Sequence, residues 1–154
     1  MTPEEEIISV LKNPEESRSL KFLALYLISR EYDPLKLTEL AKQEGFSQQL
    51  GYLADISAEA ARNKGFRESE KLYELAELLY SPPVNWAYLD ANTPEFAKPL
   101  ISSRPQTNLN KKWRVWDTLT PEHIEDGISS EGIESRYERQ KPGRDQETRY
   151  SVNY

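Results

Sequence analysis

The sequence contains no cysteine, only one histidine and only six glycines among its 154 residues. Without cysteine, disulfide bonds and thiolate zinc sites are excluded, and one histidine leaves few arrangements for a metal centre or a nucleophile with its base. That histidine, His123, follows the helix start at Thr120, where we expect it to be solvated. No glycine-rich phosphate loop or nucleophile motif occurs. We therefore predict that the protein is not an enzyme and has no metal or other cofactor.

Long apolar runs are also absent. No segment approaches the roughly 20 apolar residues that a membrane-spanning helix needs, and residues 1–6 are acidic rather than basic as in a secretory signal. These absences predict a cytoplasmic protein that does not bind membranes. The net charge of −6 argues against nonspecific binding of nucleic acid by the chain as a whole and suits a basic partner better.

Helical periodicity is what the sequence does contain, most clearly in residues 46–80. Small side chains recur at helical spacing in residues 50–61, and larger ones repeat that spacing in residues 72–79. Small residues that face large ones allow two antiparallel helices to interdigitate. We therefore predict a helical hairpin at residues 46–80, with Gly65 at its turn.

Three further helix starts precede this hairpin. Thr2, Asn13 and Asp33 are capping residues, and each is followed directly by a proline, which is favoured at the first helical position. After residue 80, alternating side chains predict two strands, at residues 84–89 and 110–119, with a long loop between them. Paired, the two strands would form a β ribbon over residues 84–119.

The predicted fold class is mainly α. We expect a compact bundle of about five antiparallel helices, followed by the small β ribbon, a short helix and a largely irregular C-terminal tail. Residues 1–128 would form one helical domain that includes the ribbon. Residues 129–154 have no continuous apolar face, so we expect them to be disordered or to become ordered only against a partner.

Two other motifs are compatible with parts of the sequence, the first of them in residues 37–53. An alanine four residues before a glycine, with a hydrophobic residue directly after that glycine, is typical of the turn in a DNA-binding helix-turn-helix. However, Gly51 stands where a branched residue is usual, and the second helix has no early basic side chain for phosphate, so DNA binding is not expected. The segment from Gly65 to Ala76 approximates half of a tetratricopeptide repeat, and one copy cannot form a solenoid.

A basic and aromatic cluster occupies residues 98–116, which contain five basic side chains and no acidic one. Tryptophan and arginine are frequent in protein-interface hot spots, and single-stranded nucleic acid stacks on such aromatics. Core tryptophans beside a positive strand edge are the third interpretation, and Trp113 is expected in the core. The residues predicted to bind a partner are Trp86, Lys111, Lys112, Arg114 and Trp116.

Five short segments resemble the C-terminal domain of the abortive-infection antitoxin family of type IV toxin–antitoxin pairs, in order and approximate spacing. They are Asp33 to Lys42, Leu50 to Leu53, Glu70 to Leu72, Tyr88 to Asp90, and Lys112 to Val115. In that family, a winged-helix DNA-binding domain precedes such a region, and the cognate toxin is a nucleotidyltransferase-like protein.

This chain departs from the family pattern in three ways. There is no room for a winged helix before residue 33, the loop at residues 91–109 is longer than expected, and Ala91 replaces the proline that usually follows the Leu-Asp pair. The resemblance therefore implies a chain that occludes a toxin partner without binding DNA. The expected function is a non-catalytic protein-binding module with a basic partner. The alternatives are a helix-turn-helix regulator that uses residues 37–53 and a tetratricopeptide-like adaptor.

Overall fold

A computed structural model describes residues 1–14 and 18–139, and in these ranges the chain is mainly helical with one small sheet, as predicted. The elements in chain order are α1 (Pro3–Lys12), α2 (Arg18–Ser29), α3 (Pro34–Glu44), α4 (Ser47–Asn63), α5 (Glu68–Leu79), β1 (Ala87–Tyr88), α6 (Lys98–Ser102), α7 (Asn108–Trp113), β2 (Val115–Trp116), α8 (Pro121–Ser130) and α9 (Arg136–Arg139). No helix in the two described ranges is long and apolar enough to cross a membrane.

The predicted caps at Thr2, Asp33 and Thr120 all begin helices. The Thr2 hydroxyl accepts a hydrogen bond from the backbone N–H of Glu5 at 3.2 Å, and the Glu5 carboxylate accepts one from the N–H of Thr2 at 2.9 Å. Thr120 forms the same reciprocal box with His123, whose Nδ1 accepts from the N–H of Thr120 at 3.2 Å. The helix start predicted at residues 13–16 falls partly outside the described residues.

Helix α4 lies at the centre of the fold. Every residue from 50 to 58 is buried, because α2, α5, α7 and α8 all pack against this helix. Helix α5 follows after Gly65, whose φ of +77° places it in the left-handed region that glycine tolerates. Leu72 and Leu75 of α5 are fully buried in the apolar core. Ser47 is the first residue of α4, and Phe46 precedes it without a side-chain cap.

The predicted ribbon is shorter than expected, and part of its second strand is a helix. Strands β1 and β2 are two residues long each and pair in parallel, Ala87 with Val115 and Tyr88 with Trp116. Residues 108–113 form helix α7 instead, although residues 110–113 were predicted to begin the second strand. The intervening residues, predicted to be loop throughout, contain α6. Parallel strands need a crossover of a dozen or more residues, and the segment with these two helices supplies it.

Helix α7 forms because its first turn is capped, a signal that the alternation of side chains concealed. The Thr107 hydroxyl accepts from the N–H of Asn110 at 3.1 Å, and Asn110 Oδ1 accepts from the N–H of Thr107 at 2.9 Å. This capping box satisfies amides that a strand would have paired with its neighbour.

Ser135 and Arg136, within the predicted tail, bind helices of the same chain, whereas we expected residues 129–154 to be disordered or to become ordered only against a partner. Ser135 is buried, and its hydroxyl donates to Glu68 Oε1 at 2.8 Å. The N–H of Arg136 donates to the other oxygen of Glu68 at 2.8 Å, and its guanidinium donates to the carbonyl of Ser29 at 2.9 Å. The rest of the predicted tail, residues 140–154, lies outside the described residues.

Candidate functional site: an aromatic ridge supported by helix α4

Helix α4 makes room for Trp113 at Gly51. A Cβ atom at position 51 would lie 2.2 Å from Cζ3 and 2.3 Å from Cη2 of the Trp113 ring, so the indole can lie here only against glycine. Trp113 is 1% exposed, which agrees with the expectation that it lies in the core. The glycine that weakened the helix-turn-helix interpretation is therefore the residue that admits this indole.

Asp55 of α4 holds two neighbouring side chains of the same segment. Its Oδ2 accepts from Trp113 Nε1 at 2.9 Å and forms an ion pair with Lys112 Nζ at 2.8 Å. The Lys112 ammonium also lies 5.5 Å from the centroid of the Tyr80 ring. Lys112, which we predicted to face a partner, is thus bound by its own chain.

Gln48, at the start of α4, connects both segments that flank the small sheet. Its Nε2 lies 2.9 Å from the carbonyl oxygen of Asn85, 2.8 Å from that of Trp113 and 3.0 Å from that of Arg114. One amide group therefore ties the approach to β1 and the approach to β2 to the same helix end.

Asn110 connects strand β2 to helix α4. It is buried, and its Nδ2 donates to the carbonyl of Val115 at 2.8 Å and to the Tyr52 hydroxyl at 3.3 Å. Burial raises the pKa of Tyr52, which keeps its hydroxyl neutral. The segment is thus held by polar side chains that are themselves buried and oriented.

Three aromatic rings lie on the segments that these contacts hold. They belong to Trp86, Tyr88 and Trp116, and we call them the aromatic ridge. Trp86 and Trp116 stack with centroids 5.0 Å apart and planes 17° apart, and Tyr88 leans against Trp116 at 4.8 Å and 48°. All three are half-buried, so part of each ring faces solvent. The parallel pairing of β1 with β2 creates this arrangement, because it places Tyr88 opposite Trp116.

Arg114 borders the ridge in a constrained conformation. Its φ of 51° and ψ of 50° place a non-glycine residue in the left-handed region, which is uncommon and costs conformational energy. Its Nη1 donates to the carbonyl of Val84 at 2.7 Å, and its own carbonyl accepts from the N–H of Ala87 at 2.9 Å. These bonds compensate for the strain and hold Arg114 against residues 84–87, the segment that leads into β1.

Of the five residues predicted to bind a partner, the structure brings three together at the ridge. Trp86 and Trp116 stack on each other, and Arg114 bonds to Val84 and Ala87, on either side of Trp86 in the sequence. Lys111 is exposed on α7, and Lys112 is turned to Asp55.

A cleft of about 440 Å³ lies next to Trp116, between α2, the α6 segment and the start of α8. Asp90, Asp117, His123 and Lys21 contribute its charged and titratable groups. Sequence analysis did not single out the two aspartates as a pair. Asp90 lies two residues after β1, and Asp117 lies directly after β2. Because the two strands pair in parallel, their carboxyl ends lie side by side, and this brings the two aspartates to the same cleft.

Burial raises the pKa of Asp117 to about 6, and the charge of Asp90 adds to the increase, while hydrogen bonds from the N–H groups of Leu119 and Thr118 and the charge of Arg104 oppose it. No group of three or more histidine, aspartate or glutamate side chains that could hold a metal ion occurs in the described part of the chain. The cleft therefore holds two carboxylates that influence each other, without the ligand set of a metal centre.

No protein-family model matches this sequence, and neither a curated protein nor a solved structure matches it significantly. The resemblance to abortive-infection antitoxins therefore stays a prediction.

Proposed function

We propose that the protein is a non-catalytic protein-binding module whose partner contacts the aromatic ridge. The observation that carries this proposal is the stack of two half-exposed tryptophans, Trp86 and Trp116, together with the exposed Arg114, whose guanidinium donates to the carbonyl of Val84, two residues before Trp86. Tryptophan and arginine are the residue types most enriched in interface hot spots, where a few anchors supply most of the binding energy.

The contacts that hold the ridge favour binding because they order its side chains before the partner arrives. Gln48, Asp55 and Asn110 hold the segment through buried or half-buried polar bonds, and each tryptophan restricts the rotamers of the other. Ordering a mobile side chain costs about 0.5–1.5 kcal/mol on binding, and side chains that are already ordered avoid most of this cost.

Two observations favour a protein over DNA as the partner. Residues 50–58 of α4 are buried throughout, so the helix that a helix-turn-helix would place in the major groove has no free face there. In addition, Lys98 and Lys112, two of the five cations in residues 98–116, are already paired with Glu95 and Asp55, whereas phosphate contacts need clustered free cations.

The more specific proposal is antitoxin-like neutralisation, in which the chain occludes a basic nucleotidyltransferase-type toxin in the cytoplasm. It rests on the resemblance and on charge. The net charge is −6, and Glu70, Glu74 and Glu77 form an exposed row along α5. Such an acidic surface can steer a basic partner, while the ridge provides the affinity.

Affinity capture with the full chain tests the proposal. The bait would be offered to extract from the source cells or to the product of an adjacent nucleotidyltransferase-like gene. Replacing Trp116 and Arg114 by alanine should weaken capture of the bound protein by roughly 30-fold, which corresponds to about 2 kcal/mol for a hot spot. The helical circular dichroism signal should not change.

The matched control replaces Leu35 and Arg62, which are exposed away from the ridge, by alanine. Capture by this control should equal that of the unaltered chain. Equal capture by the ridge variant would refute the ridge as the binding surface, and a loss of helical signal in that variant would show that the ridge is structural.

A further inference from the structure

The cleft next to Trp116 has the size and the mixed lining of a small-molecule site. Its volume of about 440 Å³ lies within the range of roughly 300–1,000 Å³ that is usual for such sites. Three charged side chains, Lys21, Asp90 and Asp117, line it together with apolar ones. The apolar lining residues are Leu20, Pro94, Ala97, Ile101, Trp116 and Leu119.

The two carboxylates of the cleft are oriented by the backbone and are not neutralised by a contact. Asp90 Oδ1 accepts from the N–H of Asn92 at 2.8 Å, and Asp117 Oδ2 accepts from the N–H of Leu119 at 2.9 Å. Within residues 1–14 and 18–139, neither carboxylate forms an ion pair with a basic side chain. The cleft therefore contains two acidic groups that a cationic ligand can reach.

Lys21 brings a positive charge to the same cleft without meeting those carboxylates. Its side chain is half-buried on α2 and lies against α8, where a Cβ at Gly127 would be 3.0 Å from Lys21 Cε. The ammonium group forms no ion pair and no hydrogen bond with any residue that the structure describes. Opposite charges therefore lie apart in one cleft, and none of them has an ionic partner in contact.

The charges in the cleft define an occupant that carries both signs. The two aspartates suit an ammonium group, for which the Trp116 indole is a further attractive surface. Lys21 suits a carboxylate, and so does His123, because its Nδ1 accepts from the N–H of Thr120 and the proton of the neutral ring is then on Nε2.

Other occupants fit these groups less well. A simple anion would face both aspartates, and a simple cation would leave Lys21 unpaired. A calcium ion would need six to eight oxygen ligands, and no cluster of three acidic or histidine side chains occurs in the described part of the chain. Arg104 is exposed and acts on Asp117 without bonding to it, so it leaves both carboxylates open to a ligand.

We propose that the cleft binds a free α-amino acid with an apolar side chain, whose ammonium group lies at Asp90 and Asp117 and whose carboxylate lies at Lys21. An α-amino acid combines both charges and an apolar group in a small volume, and the apolar lining would surround its side chain. The inference goes beyond the proposed function and does not depend on it, because the purified chain alone should bind the amino acid.

Calorimetric titration of the purified full chain with matched ligands tests the proposal. Leucine and phenylalanine are compared with the amines that lack their carboxylate, isoamylamine and phenethylamine, and with the acids that lack their ammonium group, isocaproate and hydrocinnamate. At least one amino acid should bind, and its amine and its acid should each bind at least about tenfold more weakly, because a charged hydrogen-bonding partner is lost. Binding by neither amino acid would overturn the proposal. Equal or tighter binding of the amine or the acid would also overturn it.

Variants of the cleft assign the two ends of the ligand. Near pH 7, above the value of about 6 to which burial raises the pKa of Asp117, Asp117→Asn should weaken binding of the amino acid at least about tenfold. Lys21→Met should weaken binding of the amino acid equally but leave binding of the amine unchanged, which a merely structural role would not do.

The matched controls are Asp126→Asn and Lys42→Met, since both residues are exposed and lie outside the cleft lining. They should bind the amino acid as the unaltered chain does, and circular dichroism checks that all four variants are folded. Undiminished binding by Asp117→Asn or by Lys21→Met would overturn the proposal. Neither result would bear on capture of a protein partner, so the proposed function is tested separately.

Discussion

The helical body and the segment at residues 81–119 are stabilised in different ways. The body, α1 to α5 with α8, is held by apolar side chains that are buried almost completely. The segment has little regular structure of its own, and it is positioned by Gln48, Asp55 and Asn110 together with the space at Gly51. The candidate binding surface can therefore be displaced by single changes that leave the body folded.

Leu72→Ala should produce the largest loss of stability, because it destabilises the helical body against which residues 81–119 are positioned. Leu72 is fully buried in the core, and removing its side chain leaves a cavity. The free energy of unfolding should fall by about 2–5 kcal/mol. Chemical denaturation followed by circular dichroism measures this, and tryptophan fluorescence should change in the same transition. An unchanged midpoint would mean that the core is not organised around this face of α5.

Gly51→Ala should have a smaller and local effect. Alanine is the better helix former by about 1 kcal/mol, yet its Cβ would lie 2.2 Å from the Trp113 ring, so the indole must move. We expect a net loss of about 1–3 kcal/mol, as for an overpacked core site. Hydrogen exchange should show reduced protection at residues 84–116, with α4 and α5 little affected. Equal loss in both regions would mean that they form one cooperative unit.

Asp117→Asn should give the smallest effect, which depends on pH. Burial raises the pKa of Asp117 to about 6 in the folded chain, whereas an unfolded aspartate has a pKa of about 3.9. Between these values the folded chain keeps a proton that the unfolded chain has lost. Stability therefore falls as pH rises through that window, and the loss is complete above the folded pKa.

The asparagine variant lacks this ionisation and retains an oxygen that can accept the hydrogen bond which Leu119 donates to Asp117. Its melting temperature relative to the unaltered chain should therefore be higher near pH 7 than near pH 4, in the pH range set by the shifted pKa. Other charged or titratable groups face the Asp117 carboxyl or line its cleft, namely Asp90, Arg104, Lys21 and His123. They are present in both the asparagine variant and the unaltered chain, so their effects cancel in the comparison. A difference in melting temperature that does not vary with pH would contradict the assignment.

Local signals were enough to predict most of the helices. Thr2, Asp33 and Thr120 each cap a helix with their own side chain, so the signal and the structure lie within three residues. The expectation that Trp113 lies in the core was also confirmed, although Trp113 belongs to helix α7 and not to a strand.

The parts that sequence analysis missed depend on distant partners. Lys112 meets Asp55 across 57 residues of sequence, and no local pattern shows that its ammonium is already bound. The pairing of Asp90 with Asp117 follows only from the parallel register. Helix α6 lies within the predicted loop, because a single helical turn is too short to show a period.

Partner capture by the Gly51→Ala variant tests the central claim most directly, namely that α4 positions the aromatic ridge for binding. Gly51 is buried, so the substitution alters no residue of the proposed surface. We predict that capture falls by at least about tenfold, or 1.4 kcal/mol, while the helical signal is retained. Undiminished capture by a folded Gly51→Ala chain whose residues 84–116 have lost protection would contradict the account.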